Sequence, residues 1–478
     1  MKSICEYLEE DKVKWNTLPY ISVKKNGKFF SRTFGEVIDD VQSLARSLIS
    51  ENIGGNIMLY SHNSYEWTAA YLAVMGYVGV CVPIDAEWTA FDIINTLSVI
   101  EINTVLYEKE KEQIICKVRK KHSEIRFICI EDSFPKLIAD GKNIPVALEG
   151  NRNMNKTAMI LFTSGTTNRP KAIPLTQSNL LHNWNALFAR TPMTEADISY
   201  IFLPLSHVYA GVANFLYTII SGMQVYLCSD RTKMLEEMLE IRPTIVCTVP
   251  LILNRIYAAA GQTDGQIMEI LKDIRFLYCG GSFTEPKIKK FFIENGVKLL
   301  EAYGTTETSS VVALARPDDD NTECNGTILD GLDVRVIDAD ADGIGEIIVG
   351  GGSVSAGYIS RNDTYSGFDG DGFYHTGDLG CIDSEGRLFL KGRKRRMIIT
   401  ANGKNIYVDE LEALILENPE IKSAAVFEED FHPAARIYTD LPEQEAQSCI
   451  EKINRNLPKF KRIKNVYVKP ETLGGRIK

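Results

Sequence analysis

The stretch Ala158 to Lys171 reads Ala-Met-Ile-Leu-Phe-Thr-Ser-Gly-Thr-Thr-Asn-Arg-Pro-Lys. Its first half, Ala158 to Phe162, is an apolar strand, and residues 163–171 are a polar loop that follows it. Thr163, Ser164, Thr166 and Thr167 bring four hydroxyls, Gly165 brings flexibility and Lys171 brings charge. Together they make a phosphate cradle, in which hydroxyls and loop N–H groups donate to the oxygens and the lysine offsets the negative charge. The same composition also fits a solvated Ser/Thr turn. It is not a Walker A loop, because no GxxxxGK[S/T] occurs in the chain.

A buried strand leading into a loop or helix is also the rhythm of the wider sequence. Thr33-Phe34-Gly35-Glu36 has the spacing of a capping box. Val37, Val41, Leu44, Ala45 and Leu48 then recur at helical spacing. Strands are read at Asn56 to Tyr60, Val80 to Ile84, Thr104 to Tyr107 and Phe127 to Ile130. Helices are read at Ala69 to Val78 and Phe91 to Val99. The pattern continues through Val225 to Leu227, Ile245 to Thr248 and Phe276 to Cys279. Apolar strands alternating with helices imply buried, parallel sheets.

After residue 330 the texture changes to Asp333 to Ile337, Gly345 to Val349 and Arg387 to Leu390, strands joined by Gly/Asp turns. A basic cluster, Lys391 to Arg396, precedes helix Asp409 to Glu417, strand Ala424 to Phe427 and helix Glu443 to Leu457. The expected fold is therefore α/β. A large N-terminal part has parallel-type sheets and helices plus a β-rich subdomain, and a small α+β C-terminal domain follows. The boundary is placed near Arg395, giving domains 1–394 and 395–478.

The chain has 478 residues and a formal net charge of −10. That length exceeds one compact core, and the acidic balance argues against bulk nucleic-acid binding. Ten scattered cysteines contain no CxxC, and Met1 to Asn16 lacks the apolar core of a signal peptide. Reduced thiols in a cytoplasm are expected. The longest apolar run, Ala69 to Ile84, is short of the roughly 20 residues that a spanning helix needs.

Two further segments follow strand candidates or Gly turns. Glu301-Ala302-Tyr303-Gly304-Thr305-Thr306-Glu307 comes after the strand Val297 to Leu300. Tyr303 offers a ring to stack on a base, and Glu307 a hard carboxylate for Mg²⁺. A turn with a buried tyrosine is the plainer alternative. In Tyr374-His375-Thr376-Gly377-Asp378, Asp378 can accept from two ribose hydroxyls, though Asp is also a common turn residue.

Their order and spacing resemble the superfamily of AMP-forming acyl-CoA synthetases, peptide-synthetase adenylation domains and firefly luciferase. The family phosphate loop TSGTTGxPKG is similar to residues 163–172, YGxTE to Tyr303–Glu307 and TGD to Thr376–Asp378. GRxKD and GxNIxPxEIE are similar to Gly392–Arg396 and Gly403–Glu412. The resemblance extends from about Thr33 to the last residue. The segment Leu203-Pro204-Leu205-Ser206-His207 and Gly403-Lys404-Asn405-Ile406-Tyr407 look most like bacterial long-chain fatty acid–CoA ligases.

The resemblance implies ATP-dependent activation of a fatty or other hydrophobic acid to an acyl-adenylate, followed by transfer to the thiol of CoA. Alternatives are transfer to the pantetheine of an acyl carrier protein, or a catalytically weakened nucleotide-binding relative. It implies that Thr163, Ser164, Gly165, Thr166, Thr167 and Lys171 hold the β- and γ-phosphates. Gly280, Gly281, Ser282, Glu301, Ala302 and Tyr303 would frame the adenine. Thr306 would contact the α-phosphate, Glu307 would bind Mg²⁺, and Asp378 and Arg393 would hold the ribose. His207 would sit at the acyl pocket near the thiol, with Val212, Phe215, Gly281 and Ala302 as further wall candidates and Gly403 lining the thiol tunnel. The small domain would rotate about a hinge within Gly392 to Met397.

Three positions depart from the family pattern. Asn168 and Ala172 stand where the family has glycine. Arg476 stands where the family has its adenylation lysine, so that Arg476, with Lys171, Thr306 and Glu307, completes the catalytic candidates. The resemblance also disfavours amino-acid activation, because amino-acid-activating relatives usually carry an Asp after the LPLxH region to pair with the substrate ammonium, and Tyr209 to Ile219 contains no acid.

Overall fold

Apolar strands buried on both faces organise the molecule. The computed structural model describes residues 1–163, 170–260, 266–282, 284–319, 321–359, 367–399, 405–429 and 432–469. By its contacts the chain forms two compact units. One comprises Met1–Asp333 with Val349–Tyr374, and the other Val334–Ile348 with His375–Lys478.

The first unit contains two sheets. The nine-stranded sheet has a parallel centre made of Leu299–Tyr303, Phe276–Gly280, Ile245–Thr248, Ile198–Ile201, Gln224–Leu227 and Pro19–Lys25, in that order. Antiparallel strands complete its edges: Lys28–Thr33 on one side, Ala313–Leu314 and Thr327–Ile328 on the other. The six-stranded sheet runs Arg126–Cys129, Thr104–Tyr107, Asn56–Tyr60, Val80–Ile84, Thr157–Thr163, Lys171–Thr176, parallel except for the last pair.

Alternation explains why these strands are mostly apolar. Ile57 and Leu59 enter the largest core, while Met58 and Tyr60 enter a core on the opposite face. Ile245 and Cys247 likewise face the largest core, and Val246 faces a third. Successive side chains point to opposite faces, so a strand covered on both sides has few polar positions. The largest core lies between the sheets and takes in helices Phe34–Ser50, Tyr65–Ala73 and Gln177–Arg190.

The capping box at Thr33 forms: Glu36 N donates to Thr33 Oγ1 at 3.2 Å, and Thr33 N to Glu36 Oε2 at 2.8 Å. The run from Ala69 becomes the helix Tyr65–Ala73, a π-helical turn Val74–Val78 and the core strand Val80–Ile84. Among the described residues, no helix is long and apolar enough to cross a membrane.

The second unit holds strands of a four-stranded sheet, Leu332–Ile337, Gly345–Gly351, Tyr374–Ile382 and Leu388–Arg393. It also holds an α+β part with its own core, from helices Val408–Leu416 and Glu443–Asn456 and the sheet Ile421–Glu429, His432–Thr439, Asn465–Lys469.

Candidate functional site

Strand Thr157–Thr163 folds back on Lys171–Thr176, and Thr163 and Lys171 are direct register partners. The polar loop therefore opens from a cross-strand pair that fixes both of its ends. Ser164, Gly165, Thr166, Thr167 and Asn168 lie outside the described residues. Ala172 is fully buried, and its carbonyl accepts from Ile359 N at 2.8 Å. Its methyl joins the core beneath the hairpin, so alanine in place of glycine fits here.

Lys171 Nζ lies 4.9 Å from the centroid of the Tyr358 ring, a cation–π distance. The Tyr358 hydroxyl donates to Glu307 Oε1 at 2.7 Å. Burial, reinforced by the Glu307 charge, pushes the tyrosine pKa up, so Tyr358 stays a donor. Ser355 N donates to the Glu307 carbonyl at 2.8 Å, and Ser355 Oγ to Pro174 O at 2.8 Å. These contacts bring cation, hydroxyl and carboxylate together from three segments far apart in sequence.

The turn that presents Thr306 and Glu307 is closely packed. Gly304 leaves no room for a side chain, because a Cβ there would lie 1.6 Å from Ser310 O. Ser309 and Ser310 take φ values of 62° and 122°, rare for residues with a Cβ. Surrounding bonds hold them: Ser309 Oγ donates to Ser353 O at 2.7 Å, and Asn183 Nδ2 to Val311 O at 2.6 Å.

Part of the expected loop is strand. Leu299–Tyr303 includes Glu301, Ala302 and Tyr303, which the sequence places after a strand ending at Leu300. Pairing with Phe276–Gly280 continues through Cys279↔Glu301 and Gly280↔Ala302, so the neighbour lengthens the strand. The Glu301 side chain is buried, ion-paired with Lys289, and accepts from Asn325 Nδ2 at 3.0 Å. Asp378 likewise lies inside a long strand, Tyr374–Ile382, and not in a turn.

Gly280 and Gly281 lie at the carboxyl end of their strand, and Gly281 needs its φ of +89°. Ser282 is exposed. His207 is also exposed, with Nε2 3.6 Å from Asp85 Oδ2. The neighbouring His207 ring is the main cause that lowers the Asp85 pKa, to about 2. Val212 and Phe215 are fully buried in the largest core, the Phe215 ring tilted against Tyr71. Gly403 and Arg476 lie outside the described residues.

In the second unit, Asp378 and Arg393 are cross-strand partners, and Arg393 Nε donates to Asp378 Oδ1 at 2.8 Å. Lys394 Nζ pairs with Glu346 at 2.7 Å. Arg396 pairs instead with Asp409 and Glu412 near the start of the C-terminal part.

Residues 16–359 match the family model described as AMP-binding enzyme. The chain belongs to the AMP-binding enzyme family. This AMP-binding enzyme is 26% identical over 461 residues to the long-chain-fatty-acid–CoA ligase FadD15 of Mycobacterium bovis, covering 84% of this chain and 76% of that one. It is 30% identical over 333 residues to the 2-succinylbenzoate–CoA ligase of Bacillus pumilus, covering 66% and 65%. Its fold matches that of o-succinylbenzoate CoA synthetase from Bacillus subtilis, solved with an acyl-adenylate. The TM-score is 0.82 at 22% identity, covering 98% of this chain and 94% of that one.

Two residues of this AMP-binding enzyme escape sequence reading. Tyr358 lies in a Gly/Ser-rich stretch with no local signal. Asp85 had one: it is the first residue after the carboxyl end of a parallel strand, where α/β sheets place ligand contacts.

Proposed function

We propose that the protein is an AMP-forming acid–thiol ligase that activates a hydrophobic carboxylic acid and passes it to CoA. The observation that carries this reading is the line Lys171–Tyr358–Glu307 at the mouth of the polar hairpin. It gathers a cation, a donor and a carboxylate beside a loop rich in hydroxyls, within the span matched by the family model. Relatives named as CoA ligases support the chemistry and favour CoA over a carrier-protein thiol. Their acids are diverse, fatty and aromatic among them, and another relative is an oxalate–CoA ligase.

In this reading the substrate carboxylate attacks the α-phosphorus of ATP and pyrophosphate leaves. A thiol sulfur then attacks the acyl carbonyl and AMP leaves. Both first-step reactants are anionic, so fixed cations and amides must offset their repulsion. Thr163 to Thr167 and Lys171 take the β- and γ-phosphates, and Thr306 takes the α-phosphate. Tyr303, Ala302, Glu301 and Gly280 to Ser282 border the adenine, with Glu301 contributing backbone because its carboxylate is engaged by Lys289. Asp378 and Arg393 take the ribose. Arg476 supplies the cation at the attacking oxygen, and Gly403 lines the thiol path. Glu307 fits Mg²⁺, being a hard carboxylate held in place by Tyr358. When bound, the ion neutralises phosphate charge.

ATP–pyrophosphate exchange across a panel of fatty, aryl and dicarboxylic acids, followed by CoA as acceptor, tests the reading. Acid-dependent exchange followed by thioester formation is expected. Absence of exchange with every acid would refute it.

A further inference from the structure

The Lys171 ammonium and the Glu307 carboxylate reach the same side chain at different places. The ammonium lies 4.9 Å from the centroid of the Tyr358 ring, and the carboxylate accepts from the Tyr358 hydroxyl at 2.7 Å. A phenol is rigid, with an electron-rich face and a polar tip. Its face takes the cation and its tip takes the anion.

Burial gives that separation a consequence. Glu307 is 6% exposed, and where water is excluded an ammonium and a carboxylate attract each other far more strongly than in bulk. A direct pair between them would satisfy both charges with each other, leaving neither for a polyphosphate or a divalent cation. A ring face holds an ammonium more loosely than a carboxylate does, so the lysine can pass to a phosphate oxygen.

The chain fixes the ring from both sides. Ile359 N, one residue on, donates to Ala172 O at 2.8 Å in the hairpin strand that starts at Lys171. Three residues before, Ser355 N donates to the Glu307 carbonyl at 2.8 Å and Ser355 Oγ to Pro174 O at 2.8 Å. The Phe368 ring packs edge-on against Tyr358, with centroids 5.5 Å apart. Tyr358 is thus held between the hairpin and the turn Thr306–Thr308 that carries Glu307.

We propose that Tyr358 is a positioning residue with two separable roles: its ring keeps the Lys171 ammonium from collapsing onto Glu307, and its hydroxyl aims the Glu307 carboxylate at the divalent cation that accompanies ATP. This rests on the ligase reading and deepens it, because it assigns the charge separation of the nucleotide site to one side chain. The ring role serves the polyphosphate, and the hydroxyl role serves the metal.

The test is equilibrium binding of α,β-methylene-ATP, whose α–β bridge does not break, measured by calorimetry with saturating Mg²⁺ and with EDTA. The proteins are the wild type, Tyr358→Phe, Tyr358→Ala and the double variant Tyr358→Ala/Glu307→Gln. The wild type should bind more tightly with Mg²⁺. Tyr358→Phe keeps the ring, so its affinity in EDTA should match the wild type, while the gain from Mg²⁺ should shrink about tenfold, the scale of one hydrogen bond to a charged group. Tyr358→Ala should also lose about tenfold in EDTA, and adding Glu307→Gln, which removes the competing carboxylate, should restore that affinity. A Tyr358→Phe variant with an unchanged gain from Mg²⁺, or with affinity lowered equally in both conditions, would overturn the proposal while leaving the ligase reading intact, even if Tyr358→Ala failed to fold. A folded Tyr358→Ala that binds in EDTA as the wild type does, or whose loss Glu307→Gln leaves in place, would overturn it too. A wild type that binds the analogue in neither condition would refute the ligase reading and this proposal with it.

Discussion

Lys171 is the cation at the end of the polar loop, with its ammonium poised over an aromatic ring whose hydroxyl reaches a carboxylate. Removing one electrostatic donor from such a site typically lowers kcat by about 10²–10³-fold. Lys171→Ala should therefore cut pyrophosphate exchange by that order, and an unchanged rate would remove the residue from the mechanism. Arg476 poses a different question, because a planar guanidinium stands where the family has a slim ammonium. Arg476→Lys is expected to exchange faster than wild type and Arg476→Ala about a hundredfold slower or worse. Equal rates in all three would show that the position has no catalytic role. Asp11 bears on stability instead. It is buried, its Oδ2 has no hydrogen-bond partner among the described residues, and burial lifts its pKa to about 8. A carboxyl raised in the folded state is protonated there while the unfolded chain has already ionised it. Asp11 thus carries no penalty below about pH 4, and an increasing one as pH rises toward 8. Asp11→Asn should raise the melting temperature at pH 8 and leave it nearly unchanged at pH 4. A gain of the same size at both pH values would contradict this assignment.

At the level of elements, the strand Leu299–Tyr303 and the turn after it convert a sheet edge into a chemical site. The turn works because Gly304 lies against the Ser310 carbonyl and two serines accept unusual φ values. Gly304→Ala forces the backbone apart there. Overpacking of this kind costs about 1–3 kcal/mol, so thermal unfolding should shift down and exchange should fall with it. An unshifted melting temperature would show that the turn has slack. Elements with strong periodicity or caps were legible in the chain, among them helix Phe34–Ser50 with its capping box and the strands at Asn56, Val80, Thr104 and Ile245. The edge strand Lys28–Thr33 was not, since most of its residues are exposed and its sequence does not alternate. The helix Ile130–Asn143 was also hidden, because it contains Pro135 and follows directly on a strand. Glu301 misled for a related reason. A charged residue reads as the end of a strand, yet here Lys289 neutralises it inside the core.

For the whole molecule, the proposed two-step reaction calls for a small domain that reorients, and the pivot expected within Gly392 to Met397 falls inside the second compact unit. Side-chain partners change along that stretch. The Arg393 and Lys394 side chains bond to Asp378 and Glu346 of the four-stranded sheet, and the Arg396 side chain bonds to Asp409 and Glu412 of helix Val408–Leu416, where Arg393 N also donates to Asp409 Oδ2 at 3.2 Å. Arg395→Pro fixes φ at one position and removes an N–H. It should slow thioester formation at least about tenfold, or 1.4 kcal/mol of barrier, while pyrophosphate exchange is much less affected. Equal loss in both half-reactions would count against the pivot. The sequence by itself determined the alternation of buried strands and helices, the polar loop after Phe162 and the order of the motifs, because these depend on neighbours a few residues apart. Only the tertiary structure decided that Tyr358 lies between Lys171 and Glu307, that Asp85 meets His207, and that Asp378 and Arg393 pair across strands. Those pairs are separated by tens to hundreds of residues. Their meeting depends on how strands order and register within sheets, and local periodicity carries no information about that.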